Sequence, residues 1–158
     1  MLVFAVSGYS GTGKTTLVES IVKELGFQGY TVITLKSSQH EPKEGKGTDT
    51  ERLRLAGAKT SYFRGPSDKE RFLRDIVSSS RSDYLIVEGM KSSPIPKFWC
   101  IGDSQVGDTI PIAVKAIISW NASCVEDKYG IPILESENIG QIISIIRREA
   151  INLDQLDI

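Results

Sequence analysis

The stretch Gly8-Tyr9-Ser10-Gly11-Thr12-Gly13-Lys14-Thr15 decides the fold of this chain. It follows a continuously apolar run, Leu2 to Val6, of the kind that forms a strand buried on both faces. After it, apolar side chains recur every fourth residue, at Leu17, Ile21 and Leu25, which predicts a helix. The order strand, glycine-rich loop and helix is the context that the pattern G-x-x-x-x-G-K-[ST] requires of a phosphate-binding loop.

The chemistry of this loop predicts a nucleoside triphosphate site with Mg²⁺. Glycines let the backbone turn its N–H groups inward around an anion, and the helix N-terminus adds a partial positive charge there. Lys14 is expected to reach the β- and γ-phosphates, and Thr15 to ligate Mg²⁺. The predicted nucleotide-binding residues of the loop are Gly8, Tyr9, Ser10, Gly11, Thr12, Gly13, Lys14, Thr15 and Thr16.

Composition narrows the function classes. The 158 residues are 40% hydrophobic and 25% charged, as in ordinary globular proteins. Their 19 basic and 20 acidic residues nearly cancel, so the chain lacks the basic field of a general nucleic-acid binder. No stretch approaches the roughly 18 apolar residues of a membrane span, and we expect no targeting segment. Cys100 and Cys124 are expected to be buried, reduced thiols, which favours the cytoplasm.

Apolar runs alternate with helical patterns along the whole chain. This alternation predicts an α/β fold in which a mostly parallel, doubly wound sheet carries helices on both faces, and the phosphate loop makes it a P-loop NTPase fold. We expect one domain over residues 1–158. After the first strand, strands are predicted over residues 31–35, 60–63, 83–88, 97–101, 114–119 and 131–134. Helices are predicted from residue 14 to a stop at Gly26, and over residues 48–56, 67–77 and 137–148.

Three further residues are predicted to complete the site. Glu88 ends an apolar run and precedes Gly89, which is where a P-loop protein holds a carboxylate for its metal ion or water. Asp49 lies at a predicted helix N-terminus, where a carboxylate also complements the helix dipole. Arg52 follows in the same turn and is suited either to phosphate or to an acidic neighbour. Lys14, Asp49 and Glu88 are the predicted catalytic residues, and Thr15, Glu88 and Asp49 the predicted metal ligands.

Other polar residues are weaker candidates. Lys36 and Lys91 follow predicted strands, so either could face the phosphates or only solvent. His40 is the single histidine and lies in the polar loop over residues 36–47. It has no neighbour with metal-ligand spacing, so we expect it to be solvent-exposed and assign it to no metal.

Three segments together resemble the molybdopterin-guanine dinucleotide biosynthesis protein B family. They are the phosphate loop, the segment from Gly47 to Ala58, and the segment from Val87 to Lys91 followed by Pro96 and Lys97. The second segment reads G-K-D-S-x-R in the family. Its functional positions therefore fall here on Gly47, Asp49, Thr50 and Arg52, with Thr48 in place of the lysine.

The resemblance implies a homodimeric GTP-binding adaptor with weak, Mg²⁺-dependent GTP hydrolysis. Such a protein would assist the molybdopterin guanylyltransferase in making the guanine dinucleotide form of the molybdenum (or tungsten) cofactor. The chain has no N-K-x-D guanine-reading motif, and Trp120-Asn121 follow the strand that ends at Ser119. A preference for guanine is thus implied by the resemblance alone.

Two other functions remain open from the sequence. A small-molecule kinase needs an arginine-bearing lid, for which Arg71, Arg74 and Arg81 are the candidates. A metal-insertion GTPase chaperone is expected to display a Cys/His cluster, and the chain offers one histidine and two separated cysteines.

Overall fold

The computed structural model describes residues 1–40, 48–66, 75 and 80–156. Within these residues it contains an eight-stranded sheet, three α-helices and two short 3-10 helices, Ala122–Cys124 and Leu153–Gln155. The strands are β1 (Leu2–Gly8), β2 (Val32–Ser37), β3 (Thr60–Arg64), β4 (Tyr84–Glu88), β5 (Lys97–Gly102), β6 (Val114–Ser119), β7 (Ile133–Glu135) and β8 (Ile151–Asn152). The helices are α1 (Lys14–Phe27), α2 (Asp49–Leu55) and α3 (Ile139–Glu149).

The sheet has the order β3-β2-β4-β1-β5-β6-β7, and these neighbours all pair in parallel. Strand β8 alone runs antiparallel, beside the first residues of β1. The strand order places β1 in the middle, with β4 and β2 on one side and β5 and β6 on the other. The predicted mostly parallel α/β sheet is confirmed.

Apolar side chains alternate across the central strand. Phe4 and Val6 pack with buried residues of α1, α2 and α3 on one face of the sheet. Val3 and Ala5 point to the other face, where Leu153 is among the residues that cover them. The helix predicted over residues 67–77 lies, apart from Asp75, outside the described residues.

The first helix is longer than predicted. Gly26 lies inside α1, which continues to Phe27. The chain turns instead at Gly29, whose φ of +88° is in the left-handed region. The Tyr30 N–H donates to the Leu25 carbonyl at 3.0 Å and the Gly29 N–H to the Gly26 carbonyl at 3.0 Å. This is the Schellman pattern, so the glycine that ends the helix is Gly29 and the expectation for Gly26 was wrong.

Two expectations from composition have different outcomes. Cys100 is buried and free, as predicted, whereas Cys124 is free but exposed. Burial raises the pKa of the Cys100 thiol to about 12, so this thiol is held protonated. Among the described residues, no helix is long and apolar enough to cross a membrane.

Candidate functional site

The glycine-rich loop joins β1 to α1, as predicted. A methyl group on Gly8 would lie 2.4 Å from the Cys100 carbonyl oxygen, so only glycine lets the loop leave β1 beside β5. Gly13 has a φ of +83° and immediately precedes α1, with no side chain capping the helix. The first N–H groups of α1 therefore have no side-chain partner at the cap, which is the usual arrangement of an anion site.

Lys14 folds back across the loop. Its Nζ donates to the Tyr9 carbonyl oxygen at 2.5 Å. Burial lowers the pKa of Lys14 below its usual value, although the nearby Glu88 carboxylate opposes this effect. A cation that is partly desolvated and donates to a neutral carbonyl is well suited to exchange that partner for an anion.

Glu88 lies at the centre of the site, at the end of β4. The residue is 3% exposed, and its carboxylate accepts hydrogen bonds from two directions. The Thr15 hydroxyl is 3.0 Å from both carboxylate oxygens, and Lys36 Nζ donates to Oε1 at 2.8 Å. The parallel register explains this meeting, since Glu88 pairs with Val6 of β1 and with Lys36 of β2. The structure thus brings together Glu88 and Thr15, two of the predicted metal ligands.

Lys36 links Glu88 to Asp49. Its ammonium group donates to the Asp49 carboxylate as well as to Glu88. Burial disfavours the charged lysine, but the hydrogen bonds to the two carboxylates outweigh it and raise the pKa of Lys36 above its usual value. Asp49 begins α2, a helix capped by Thr48, whose hydroxyl accepts from the Glu51 N–H at 3.4 Å. One cation therefore holds the two predicted carboxylates together.

Arg52 points to α1 rather than directly into the loop. It donates to Glu19 through Nε at 3.0 Å and through Nη2 at 2.8 Å, a bidentate pair. The hydrogen bonds to Glu19 raise the pKa of Arg52 above its usual value. Its Nη2 also lies 3.4 Å from the Thr16 hydroxyl, at the end of the loop. Glu19 is a member of this network that no sequence motif indicated.

Other residues in and around the phosphate loop make separate contacts. Tyr9 is 65% exposed, and its ring stands edge-on to Trp99 at a centroid distance of 5.4 Å. Lys91 Nζ lies 5.6 Å from the centre of the Tyr9 ring. The Thr12 hydroxyl donates to the Tyr9 carbonyl at 2.9 Å. His40 is exposed, as predicted, and residues 41–47 of its loop lie outside the described part of the chain.

A cleft of about 700 Å³ opens beside Lys14 and Glu88. The ends of β2 and β3 and the segments that follow β2, β3 and β4 line it, and its basic side chains are Lys36, Arg64 and Lys91. Sequence reasoning did not predict this cleft, because it forms between loops that are far apart in the chain. Among the described residues, no group of three or more His, Cys, Asp or Glu side chains could hold a metal ion by itself.

Lys97 anchors the loop that follows Glu88. Its side chain is completely buried, and Nζ donates to the carbonyl oxygens of Ser93 at 2.6 Å, Lys91 at 3.0 Å and Met90 at 3.4 Å. The Ser7 hydroxyl holds the start of the same loop by donating to the Gly89 carbonyl at 2.5 Å. Lys97 therefore fixes one wall of the cleft from within the sheet. Its residue type alone gave no sign of this role.

A glycine-rich loop between a parallel strand and a helix, with a carboxylate from the adjacent strand on its threonine, defines a P-loop NTPase. The family model described as molybdopterin guanine dinucleotide synthesis protein B matches residues 3–119. The chain belongs to this family.

Individual relatives agree with this assignment. The chain is 30% identical over 165 residues to a putative molybdopterin-guanine dinucleotide biosynthesis adapter protein of Methanocaldococcus jannaschii, an alignment covering 96% of this chain and 63% of that protein. The chain therefore spans less than two thirds of that relative's length. It is 26% identical to a probable adapter protein of the same biosynthesis from Bacillus subtilis, over 84% of each chain.

The fold is also that of a solved relative. The crystal structure of Bacillus subtilis MobB matches with a TM-score of 0.65 at 24% identity, covering 92% of this chain and 98% of that one. The predicted P-loop NTPase fold is thus confirmed.

The buried Lys97 should make the free energy of unfolding depend on pH. Burial lowers the pKa of Lys97 to about 8, whereas an unfolded lysine has a pKa of about 10.4. Between these values the unfolded chain binds more protons than the folded chain, so the free energy of unfolding rises with pH. In urea denaturation, the free energy of unfolding of wild type should rise by about 2 kcal/mol relative to that of Lys97→Met between pH 8 and pH 10.

The comparison uses Lys23→Met as its control, because Lys23 is an exposed lysine on α1. Wild type and Lys23→Met should keep a constant difference over the same pH range. A constant difference between wild type and Lys97→Met as well would mean that the three carbonyl hydrogen bonds preserve an ordinary pKa at Lys97.

Proposed function

We propose that this chain binds GTP with Mg²⁺ at residues 8–16 and serves as an adapter in molybdopterin-guanine dinucleotide biosynthesis, with weak GTP hydrolysis. The observation that carries the proposal is the pair of 3.0 Å contacts between the Thr15 hydroxyl and the buried Glu88 carboxylate. It sets two oxygen ligands beside the phosphate loop. Mg²⁺ takes oxygen ligands and is usually held by one or two carboxylates together with phosphates, so this donor set fits the ion.

Lys14 is the residue that would change partner on binding. It now donates to a neutral acceptor, the Tyr9 carbonyl, at 2.5 Å. A phosphate oxygen is a stronger acceptor than a carbonyl because it carries charge. The ammonium group would therefore leave Tyr9 for the β- and γ-phosphates. Bound Mg²⁺ would supply charge neutralisation at the same phosphates.

Asp49 and Arg52 would act around this centre. Asp49 shares Lys36 with Glu88, which keeps a second carboxylate within reach of a metal ion or its water. Arg52 is 3.4 Å from the Thr16 hydroxyl, where the last residues of the loop would meet a nucleotide. Its bidentate pair with Glu19 would hold it there without placing it on a phosphate. These roles for Asp49 and Arg52 remain predictions.

The adapter role is supported by the family to which the chain belongs. Relatives from both Methanocaldococcus jannaschii and Bacillus subtilis are described as adapter proteins of molybdopterin-guanine dinucleotide biosynthesis. The partner would be the molybdopterin guanylyltransferase, and the nucleotide would be GTP because the reaction consumes a guanine nucleotide. A homodimer, a cytoplasmic location and service to a molybdenum or tungsten cofactor belong to the same proposal.

The cleft beside Lys14 favours a second candidate, a small-molecule kinase. A kinase needs room for an acceptor next to the terminal phosphate, and this cleft of about 700 Å³ lies beside Lys14, which is proposed to hold that phosphate. Arg64, on its wall, has Nη1 only 3.9 Å from the sulfur of Met90 and could meet an anionic acceptor. Of the arginines predicted for a lid, Arg81 is exposed, and Arg71 and Arg74 lie outside the described residues.

The phosphate site makes a direct prediction for Lys14. We expect Lys14→Ala to remain folded and to bind GTP at least about tenfold more weakly than wild type, because a charged partner of the phosphates is lost. Isothermal titration calorimetry with Mg²⁺ and GTP measures this change. Lys23→Ala, which removes an exposed lysine from the same helix, should bind like wild type. Equal binding isotherms for all three proteins would place the phosphates elsewhere.

The adapter role is tested by reconstitution. A purified molybdopterin guanylyltransferase should convert molybdopterin to its guanine dinucleotide faster with the wild-type chain and GTP than alone, and Lys14→Ala should give less stimulation. Release of GDP or ADP that depends on an added small acceptor, without any effect on the transferase, would instead support the kinase. No stimulation and no association with the transferase would refute the adapter role.

A further inference from the structure

Trp120 is a large exposed aromatic residue that lies against the phosphate loop. It follows β6 directly, and its side chain is 52% exposed. A methyl group on Gly13 would lie 2.9 Å from the Trp120 Nε1 atom. A methyl group on Gly102 would lie 3.6 Å from Cη2 and Cζ2 of the same ring. The indole thus rests on two glycines, one from the loop and one from the end of β5, and leaves much of its surface open.

The backbone around Trp120 is held firmly. The Trp120 N–H donates to the Gly102 carbonyl at 2.8 Å, and the Ser119 hydroxyl donates to the same carbonyl at 2.9 Å. The Asn121 N–H in turn donates to the Ser119 hydroxyl oxygen at 3.1 Å. The exposed ring therefore stands on a fixed turn, and little conformational freedom would be lost when something binds on it.

The position of the ring relative to β1 indicates what could bind there. Glu88, the carboxylate on Thr15, belongs to β4 on one side of β1. Trp120 follows β6 on the other side, beyond β5. A triphosphate whose metal-bound end points towards Glu88 has its nucleoside end on the opposite side. That end carries the sugar and the base, and the open indole of Trp120 lies on that side of β1.

We propose that Trp120 is the stacking surface for the base of the nucleotide whose phosphates occupy residues 8–16. This inference rests on the proposed nucleotide site and extends it to the base. A flat base gains by stacking on an aromatic ring whatever its hydrogen-bonding edge, so the ring favours purines, with their larger area, over pyrimidines. Stacking by itself does not separate guanine from adenine. It supplies a base contact in a chain that lacks the N-K-x-D motif.

The test compares a nucleotide with a ligand that has phosphates and no base. Calorimetric titrations with GTP and with inorganic tripolyphosphate, both with Mg²⁺, are made on wild type, Trp120→Ala and Trp120→Phe. We expect Trp120→Ala to bind GTP about ten- to a hundredfold more weakly than wild type. Trp120→Phe should recover most of that loss, and tripolyphosphate should bind all three proteins alike. Phe27→Ala, which removes an aromatic ring that is 89% exposed at the end of α1, is the matched control and should bind GTP like wild type.

Tryptophan fluorescence gives a second measurement, which uses the wild-type protein alone and so does not depend on whether a variant folds. The chain has two tryptophans, of which Trp99 is 3% exposed. GTP should quench the wild-type emission and shield it from acrylamide, whereas tripolyphosphate should do neither, since only a base covers Trp120.

Three results would overturn the inference. Unchanged GTP affinity in Trp120→Ala would show that the base does not use this ring. A parallel loss of GTP and tripolyphosphate binding would show that Trp120 only supports the shape of the loop through Gly13. Wild-type protein that bound neither ligand would remove the proposed phosphate site and this inference with it, and only this last result affects the proposed function.

Discussion

The buried carboxylate of Glu88 is the constraint on which the rest of the site depends. A carboxylate that is 3% exposed must have charged or hydrogen-bonding partners, because burying it alone would cost several kcal/mol. Its partners come from different segments: the Thr15 hydroxyl from the start of α1 and the Lys36 ammonium from β2. The parallel register of β1, β4 and β2 makes this possible, since it aligns the ends of the three strands at one edge of the sheet. The phosphate loop is thereby tied to the strand that carries the acidic residue.

A series of ion pairs connects this centre to helices α1 and α2. Lys36 also binds Asp49 at the start of α2, and Arg52 of the same helix forms a bidentate pair with Glu19 of α1. The position of α2 is thus coupled both to the sheet edge and to the helix that follows the loop. A cation bound between Thr15 and Glu88 would add a positive charge beside the carboxylate that Lys36 contacts.

Much of the fold could be predicted because its signals are local. The spacing of the motif predicted the phosphate loop, and the apolar runs predicted the strands. An apolar run that ends in an acidic residue indicated Glu88. The rest depends on pairs that are distant in the chain. No local pattern in the sequence indicates that Arg52 donates to Glu19, or that Lys97 donates to three backbone carbonyl oxygens. The end of α1 and the exposure of Cys124 were missed for a related reason, since both depend on backbone bonds and packing that residue type does not specify. The single domain, the metal ion and the dimer remain predictions.

A crystal structure of the protein with a non-hydrolysable GTP analogue and Mg²⁺ would test the central claim most directly. We predict that the phosphates will lie within residues 8–16, that Lys14 will have moved from Tyr9 to the phosphates, and that a Mg²⁺ ion will lie about 2.1 Å from the Thr15 hydroxyl oxygen, on the side of Glu88. A structure in which nucleotide is bound while Thr15 still donates to Glu88, with no ion between the phosphates and this pair, would contradict it.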